Sequence, residues 1–209
     1  MADYSCPNCG APLTFRSSVS VYVTCTYCRS MVVRHDMNLK TLGQVAELLD
    51  DMSPFQVGTS GTFKGRHFYL LGRIKVVYDK GTWSEWYALF DDGQEGWLAE
   101  AQGRYMMTFP IPDYKPHKPS DAAPLNPYDL NGEEYLIEDI RMVEYAASEG
   151  ELPFRFEPHR QALSVDLRDR KGRFASLSFP HDQIATAYLG EYQEFEDFNF
   201  QFLRTLDGW

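Results

Sequence analysis

After residue 28 this chain of 209 residues has no cysteine, which excludes a thiol nucleophile from everything downstream. No Gly-x4-Gly-Lys-Ser/Thr loop occurs, so a nucleotide-binding P-loop is excluded. The histidines, His35, His67, His117, His159 and His181, form neither a His-x3-His nor a His-Glu-x2-His pattern, so no second metal site is predicted. Gly58-Thr59-Ser60-Gly61 lacks the spacing of a nucleophile elbow and precedes a strand pattern rather than a helix. No run of 18 apolar residues is present, and the expectation is a chain without a transmembrane segment. Positive charge is scarce: 20 Lys and Arg stand against 30 Asp and Glu, for a net charge of -10. Phosphate backbones attract basic surfaces, so the expectation is no nucleic-acid partner. Residues 1–40 carry +2, which leaves -12 for the rest.

What the chain does have is a pair of Cys-x2-Cys turns near its start: Cys6, Cys9, Cys25 and Cys28. No charged stretch followed by an apolar one precedes them, which predicts a cytoplasmic location where thiols stay reduced. The spacing matches a four-thiolate zinc site. Four sulfurs close the coordination shell and leave no position for water or substrate, so the zinc is predicted to be structural rather than catalytic. Gly10 follows the first turn, where a positive φ is often required. The residues between and after the turns are rich in β-branched and aromatic types, as in the strands of a zinc ribbon. A ribbon this small depends on its metal for folding. Tyr22 and Tyr27 look exposed, but with so few basic residues around them, recruitment of a protein partner is the better reading of the ribbon.

The rest divides by pattern. A zinc ribbon over 1–38 is followed by a connecting helix over 39–54, with Leu42, Val45, Leu49 and Met52 on one face, Thr41 as cap and Pro54 as stop. Residues 55–110 read as a first β unit, four strands in an antiparallel meander able to curl into a barrel. Residues 111–131 are a proline-rich linker. Residues 132–209 read as a second β unit, ending in an alternating strand with Phe198, Phe200 and Phe202 on one face. The units echo each other: Tyr69, Leu70, Leu71, Ile74, Lys75 and Val77 fall on residues 66 positions later, from Tyr135 to Val143. Phe90 and Trp97 fall on Leu167 and Phe174, 77 positions later. The predicted fold is therefore mainly β: an amino-terminal zinc ribbon plus an antiparallel β-barrel or meander body of two related β units.

Gly65, Gly72, Trp83, Glu85, Trp86, Gly93, Trp97 and Leu98, followed by Glu149-Gly150-Glu151-Leu152-Pro153, carry a resemblance across roughly residues 55–205. In these elements the chain resembles a bacterial family catalogued as domain of unknown function 4178, whose members similarly carry an amino-terminal zinc ribbon. The resemblance implies a mostly β fold with no established activity. It also implies an accessory role in a membrane-linked or stress-linked system.

Glu85 is the residue with the most chemical content. On a strand it shares a side with Trp83, and an aromatic wall beside a carboxylate suits a small cation. The competing reading is a buried salt bridge to Arg73 or Arg104. Glu151 is the candidate counterpart in the second unit, and if the two carboxylates lined one cleft, acid–base chemistry would follow. The functional expectation is a non-enzymatic adaptor with structural zinc, binding a protein partner or a small cationic ligand through Trp83, Glu85 and Glu151. The alternative is a small-ligand enzyme with a Trp/Glu cleft.

Overall fold

The computed structural model describes residues 3–35, 38–44, 52–119, 123–181 and 183–205. These residues are mainly β and antiparallel, with no α-helix among them. In the amino-terminal module, β1 (Asp3–Ser5) pairs with β2 (Pro12–Thr14) around the first Cys-x2-Cys turn. Around the second turn, β3 (Tyr22–Thr24) pairs with β4 (Ser30–His35). The connecting helix expected over 39–54 gives way at its start to a strand. Asn38–Gln44 forms β5, paired along β4. Residues 45–51, including Val45 and Leu49, lie outside the described residues. The open edge of β4 offers backbone partners that a weak helical pattern cannot outweigh. Leu39 then packs on the cysteine side of the module and Leu42 on the barrel side.

The body begins with a short strand that the sequence pattern did not suggest, β6 (Ser60–Phe63), followed by the expected four-strand meander: β7 (Arg66–Tyr78), β8 (Gly81–Phe90), β9 (Glu95–Ala101) and β10 (Arg104–Pro110). After it come β11 (Pro127–Leu130), β12 (Glu133–Leu152), β13 (Arg160–Arg168), β14 (Phe174–Pro180) and β15 (Thr186–Gln193). β10 pairs with β15, and β12 pairs with β7. The hydrogen-bonded order β7-β8-β9-β10-β15-β14-β13-β12 thus returns to β7 as a closed ring of eight antiparallel strands. The two predicted units are the two halves of one barrel. A ring of eight strands leaves an interior wide enough for side chains or one small ligand.

Both seams between the halves need glycine. Gly72 sits opposite Gly150, and a Cβ on Gly72 would lie 2.0 Å from the Glu151 carbonyl oxygen. At the other seam, a Cβ on Gly190 would lie 2.0 Å from the Met107 carbonyl oxygen. The halves also correspond strand by strand, with one correction to the register read from sequence. A bulge interrupts β7 between Leu70 and Gly72, and another interrupts β12 between Ile137 and Asp139. These superpose with a shift of 67 rather than 66, and only that shift keeps side chains on the same face.

Outside the ring, two apolar patches are covered by chain that the sequence suggested would be linker or strand. Tyr128 and Leu130 of β11, with Ile111 and Tyr114, cover Val165, Leu167, Ala175 and Leu177. The proline-rich segment is therefore a strap on the barrel wall, with Tyr128 donating to the His117 carbonyl at 2.9 Å. The tail covers Phe68, Leu70, Trp86 and Leu98. It does so without forming the expected strand: Phe195–Phe198 is a 3-10 turn, and Asn199 and Phe202 adopt positive φ. Phe198 is buried and stacks on Phe200, whereas Phe202 is exposed. Turning Phe198 down onto the wall removes its ring from water.

Candidate functional site: the cysteine cluster and the barrel lumen

Each Cys-x2-Cys turn is closed by a backbone bond to its first cysteine carbonyl, from Gly10 N–H to Cys6 at 2.9 Å and from Arg29 N–H to Cys25 at 2.8 Å. Both donors have positive φ, so the second turn places Arg29 where the first uses Gly10. The turns bring all four sulfurs within 4.8 Å of one another. Cys6 Sγ lies 3.7 Å from Cys28 Sγ, and Cys9 Sγ lies 3.8 Å from Cys25 Sγ. Disulfide sulfurs sit at about 2.05 Å. Sulfurs at tetrahedral corners around a metal with bonds of about 2.3 Å sit at about 3.8 Å. The four thiols therefore fit a single metal ion and do not fit disulfides. The Ser30 hydroxyl and amide lower the Cys28 thiol to about 6, whereas burial raises Cys25 and, against the Ala11 backbone amide, contact with the neighbouring thiols pushes Cys9 up to about 12.

The module is built into the barrel. β3 adds to the end of β12 at Glu151 and Leu152. Tyr22, Met31 and Val33 pack with Ile74, Tyr87, Trp97, Val143 and Ala162. Tyr22 is fully buried, its hydroxyl 3.0 Å from the Ser148 hydroxyl, and only Tyr27 of the tyrosine pair is exposed. Glu151 is also at this joint, 4% exposed, accepting hydrogen bonds from the backbone N–H groups of Arg16 at 2.8 Å and Ser17 at 3.2 Å.

Inside the ring is a cavity of about 460 Å³, lined by residues from all eight strands. Trp83 and Glu85 of β8 face it together, and Trp83 Nε1–H donates to Glu85 Oε1 at 3.2 Å. Glu151 does not face it: the two carboxylates paired by sequence reasoning are in different places. Neither expected salt bridge to Glu85 forms. Arg73 pairs with Glu149 at 2.9 Å and lies over the Trp86 ring, and Arg104 is exposed. Burial raises the Glu85 carboxyl above its ordinary range, opposed by the Trp83 donor and by the charge of Arg160.

The second acid of the lumen is Asp166 on β13, unnoticed in the sequence. Burial pushes it up to about 6, against a hydrogen bond from Ser176 and the charge of Arg141, and the Glu85 charge adds to the rise. Tyr188 is pushed up to about 12 by burial and by Glu85. Arg160, Tyr145 and Arg141 add to the polar lining, and Trp97, stacked on Phe154 at 5.8 Å, supplies an apolar wall. The loops after β12 and β14 form one rim, where Gln183 is hydrogen-bonded to both Arg160 and Glu157. Such a lumen can hold a small molecule by its charge and its apolar body together.

Asp166 alternates with Val165 and Leu167, which reads as a solvent-facing acid. The useful signal was the longer row Ser164, Asp166, Ser176, Ser178 and Thr186, polar on three successive strands and all facing the cavity.

Residues 56–195 match the family model described as "Domain of unknown function (DUF4178)". No curated protein and no solved structure matches the chain. The chain belongs to the DUF4178 family and adds to that domain an amino-terminal four-cysteine cluster consistent with a zinc ribbon.

Proposed function

We propose that this DUF4178 family member is a non-enzymatic accessory protein that holds a small molecule bearing a cationic group in its barrel lumen, with structural zinc in its cysteine module. The observation that carries the reading is Glu85. It is a carboxylate inside a closed ring of strands, touched by the Trp83 N–H, with Tyr145 and Tyr188 close enough to feel its charge. Among the described residues no cationic side chain forms an ion pair with it. An ionised carboxylate in such a place is costly, and an ammonium group flanked by aromatic rings relieves that cost. Zinc is supported by the tetrahedral sulfur spacing and by the softness of four thiolate ligands.

The reading is tested by titrating 2-phenylethylamine into the metal-loaded protein and following the fluorescence of the lumen tryptophans. A cation binds the ionised acids, so affinity should rise as pH increases through about 6, the value for Asp166. Glu85→Gln should weaken binding by about tenfold or more without lowering the melting temperature. Binding that is absent across this pH range, or indifferent to Glu85→Gln, overturns the reading. Metal analysis should return about one zinc per chain.

A further inference from the structure

Besides its acids, the lumen carries a cation whose hydrogen-bonding capacity is not used up. Arg160 enters at the start of β13, with its guanidinium 4.7 Å over the Tyr145 ring. One terminal nitrogen donates to Gln183 at the rim. Its Nε is buried and makes no hydrogen bond of good geometry among the described residues, although the Tyr145 hydroxyl lies within reach of the guanidinium. A buried donor left unpaired is costly, and its usual resolution is an acceptor that arrives with water or ligand. Arg160 is near enough to Glu85 for its charge to act on that carboxyl, yet no hydrogen bond or ion pair joins the two. The lumen therefore presents a negative pole and a positive pole, held apart and facing one cavity. Trp97 stacked on Phe154, with Ile74 and Val143, forms the apolar surface beside them.

From this arrangement we infer that the ligand is a small zwitterion, an amino acid or a compound like it, with its ammonium group at Glu85, its carboxylate at Arg160 and its apolar body against Trp97. This rests on the proposed lumen function and sharpens it. A simple amine would satisfy Glu85 and leave the arginine donor orphaned. A simple carboxylic acid would satisfy Arg160 and be repelled by Glu85 and Asp166. A planar guanidinium fork is suited to a carboxylate, and binding both poles rejects any analogue that lacks one. Asp166 offers the rival pairing, in which two acids would hold the two nitrogens of a diamine.

The test compares four probes on the full-length, metal-loaded chain by calorimetry: L-phenylalanine, 6-aminohexanoate, 2-phenylethylamine and 1,6-diaminohexane. At least one zwitterion should bind about tenfold or more tighter than the amine of matching skeleton. Arg160→Met should remove that margin and leave amine binding in place, whereas Glu85→Gln should weaken zwitterion and amine alike. Arg160→Gln, which keeps a donor for Gln183, should behave as Arg160→Met does and guards against loss of the rim. Amines binding as tightly as their zwitterions overturn the inference while leaving the lumen function standing. So does a diamine that binds tightest and is lost with Asp166→Asn. Failure of all four probes to bind overturns both.

Discussion

In the amino-terminal module, residues 3–44, the central feature is a cluster of four sulfurs; in the barrel it is a cavity enclosed by a ring of backbone hydrogen bonds. The module has strands as short as three residues and a small core around Leu13, Phe15, Val23 and Val32. The barrel has strands of up to 20 residues and buried clusters on more than one face of its wall. A small segment can therefore depend on its metal while a larger one depends on closure and burial. The two are nonetheless joined through the same core, since Tyr22, Met31 and Val33 pack on residues that face the barrel interior. The difference is testable: the module's stability should be removable without destroying the barrel.

Metal removal is the strongest test. Chelation, or Cys25→Ser, should withdraw roughly 10–16 kcal/mol of apparent binding energy from the module. Hydrogen exchange should then speed up across residues 3–44, while the amides of β8, β9 and β14 keep their protection. Collapse of protection in the barrel as well would erase the distinction between the regions. The barrel has its own weak points at the seams. Gly190→Ala places a Cβ against the Met107 carbonyl and should cost about 3 kcal/mol or more in a urea unfolding experiment. Gly132→Ala, in open space at positive φ, should cost only about 1 kcal/mol, which separates crowding at the seam from backbone conformation alone.

A third change addresses the joint. Glu151→Ala leaves the amides of Arg16 and Ser17, the second of them buried, without an acceptor and should cost about 2–3 kcal/mol. Exchange at those two amides should rise more than at Met31 or Val32. Asp166→Asn, by contrast, should stabilise. The raised pKa of Asp166 means the folded barrel binds a proton more tightly than the unfolded chain does. This contribution to stability is full below about pH 4 and is lost as pH rises through about 6. Asp166→Asn should remove that slope and stabilise the protein at pH 7 by about 2–3 kcal/mol, read as a shift in urea midpoint.

Much of the fold could be read from local pattern, and the failures share a cause. The cysteine spacing and Gly10 were sufficient for the metal module, because a turn of four residues places its own ligands. The meander over β7–β10 was legible from alternation and its Asp, Gly and Lys turns. Asn38–Gln44, the tail and the proline-rich strap were misread, because each takes its conformation from a surface laid down elsewhere: the edge of β4, or the outer wall of the barrel. The site divides in the same way. Trp83 and Glu85, two residues apart on one strand, were correctly placed together. Glu151 was assigned to them by analogy between the halves, but its partners are amides more than 130 residues away.

What the sequence by itself determined is therefore what short-range geometry enforces: four thiols in two turns, strands with a period of two, and the side that Glu85 shares with Trp83. Only the tertiary structure decided which side was the inside. Val165 and Leu167 face outward under the strap, and Asp166 faces inward to the lumen. Alternation records that the two faces of a strand differ. Which one is enclosed depends on closing β7 onto β12 and β10 onto β15, pairings between strands far apart in the chain that no local pattern encodes.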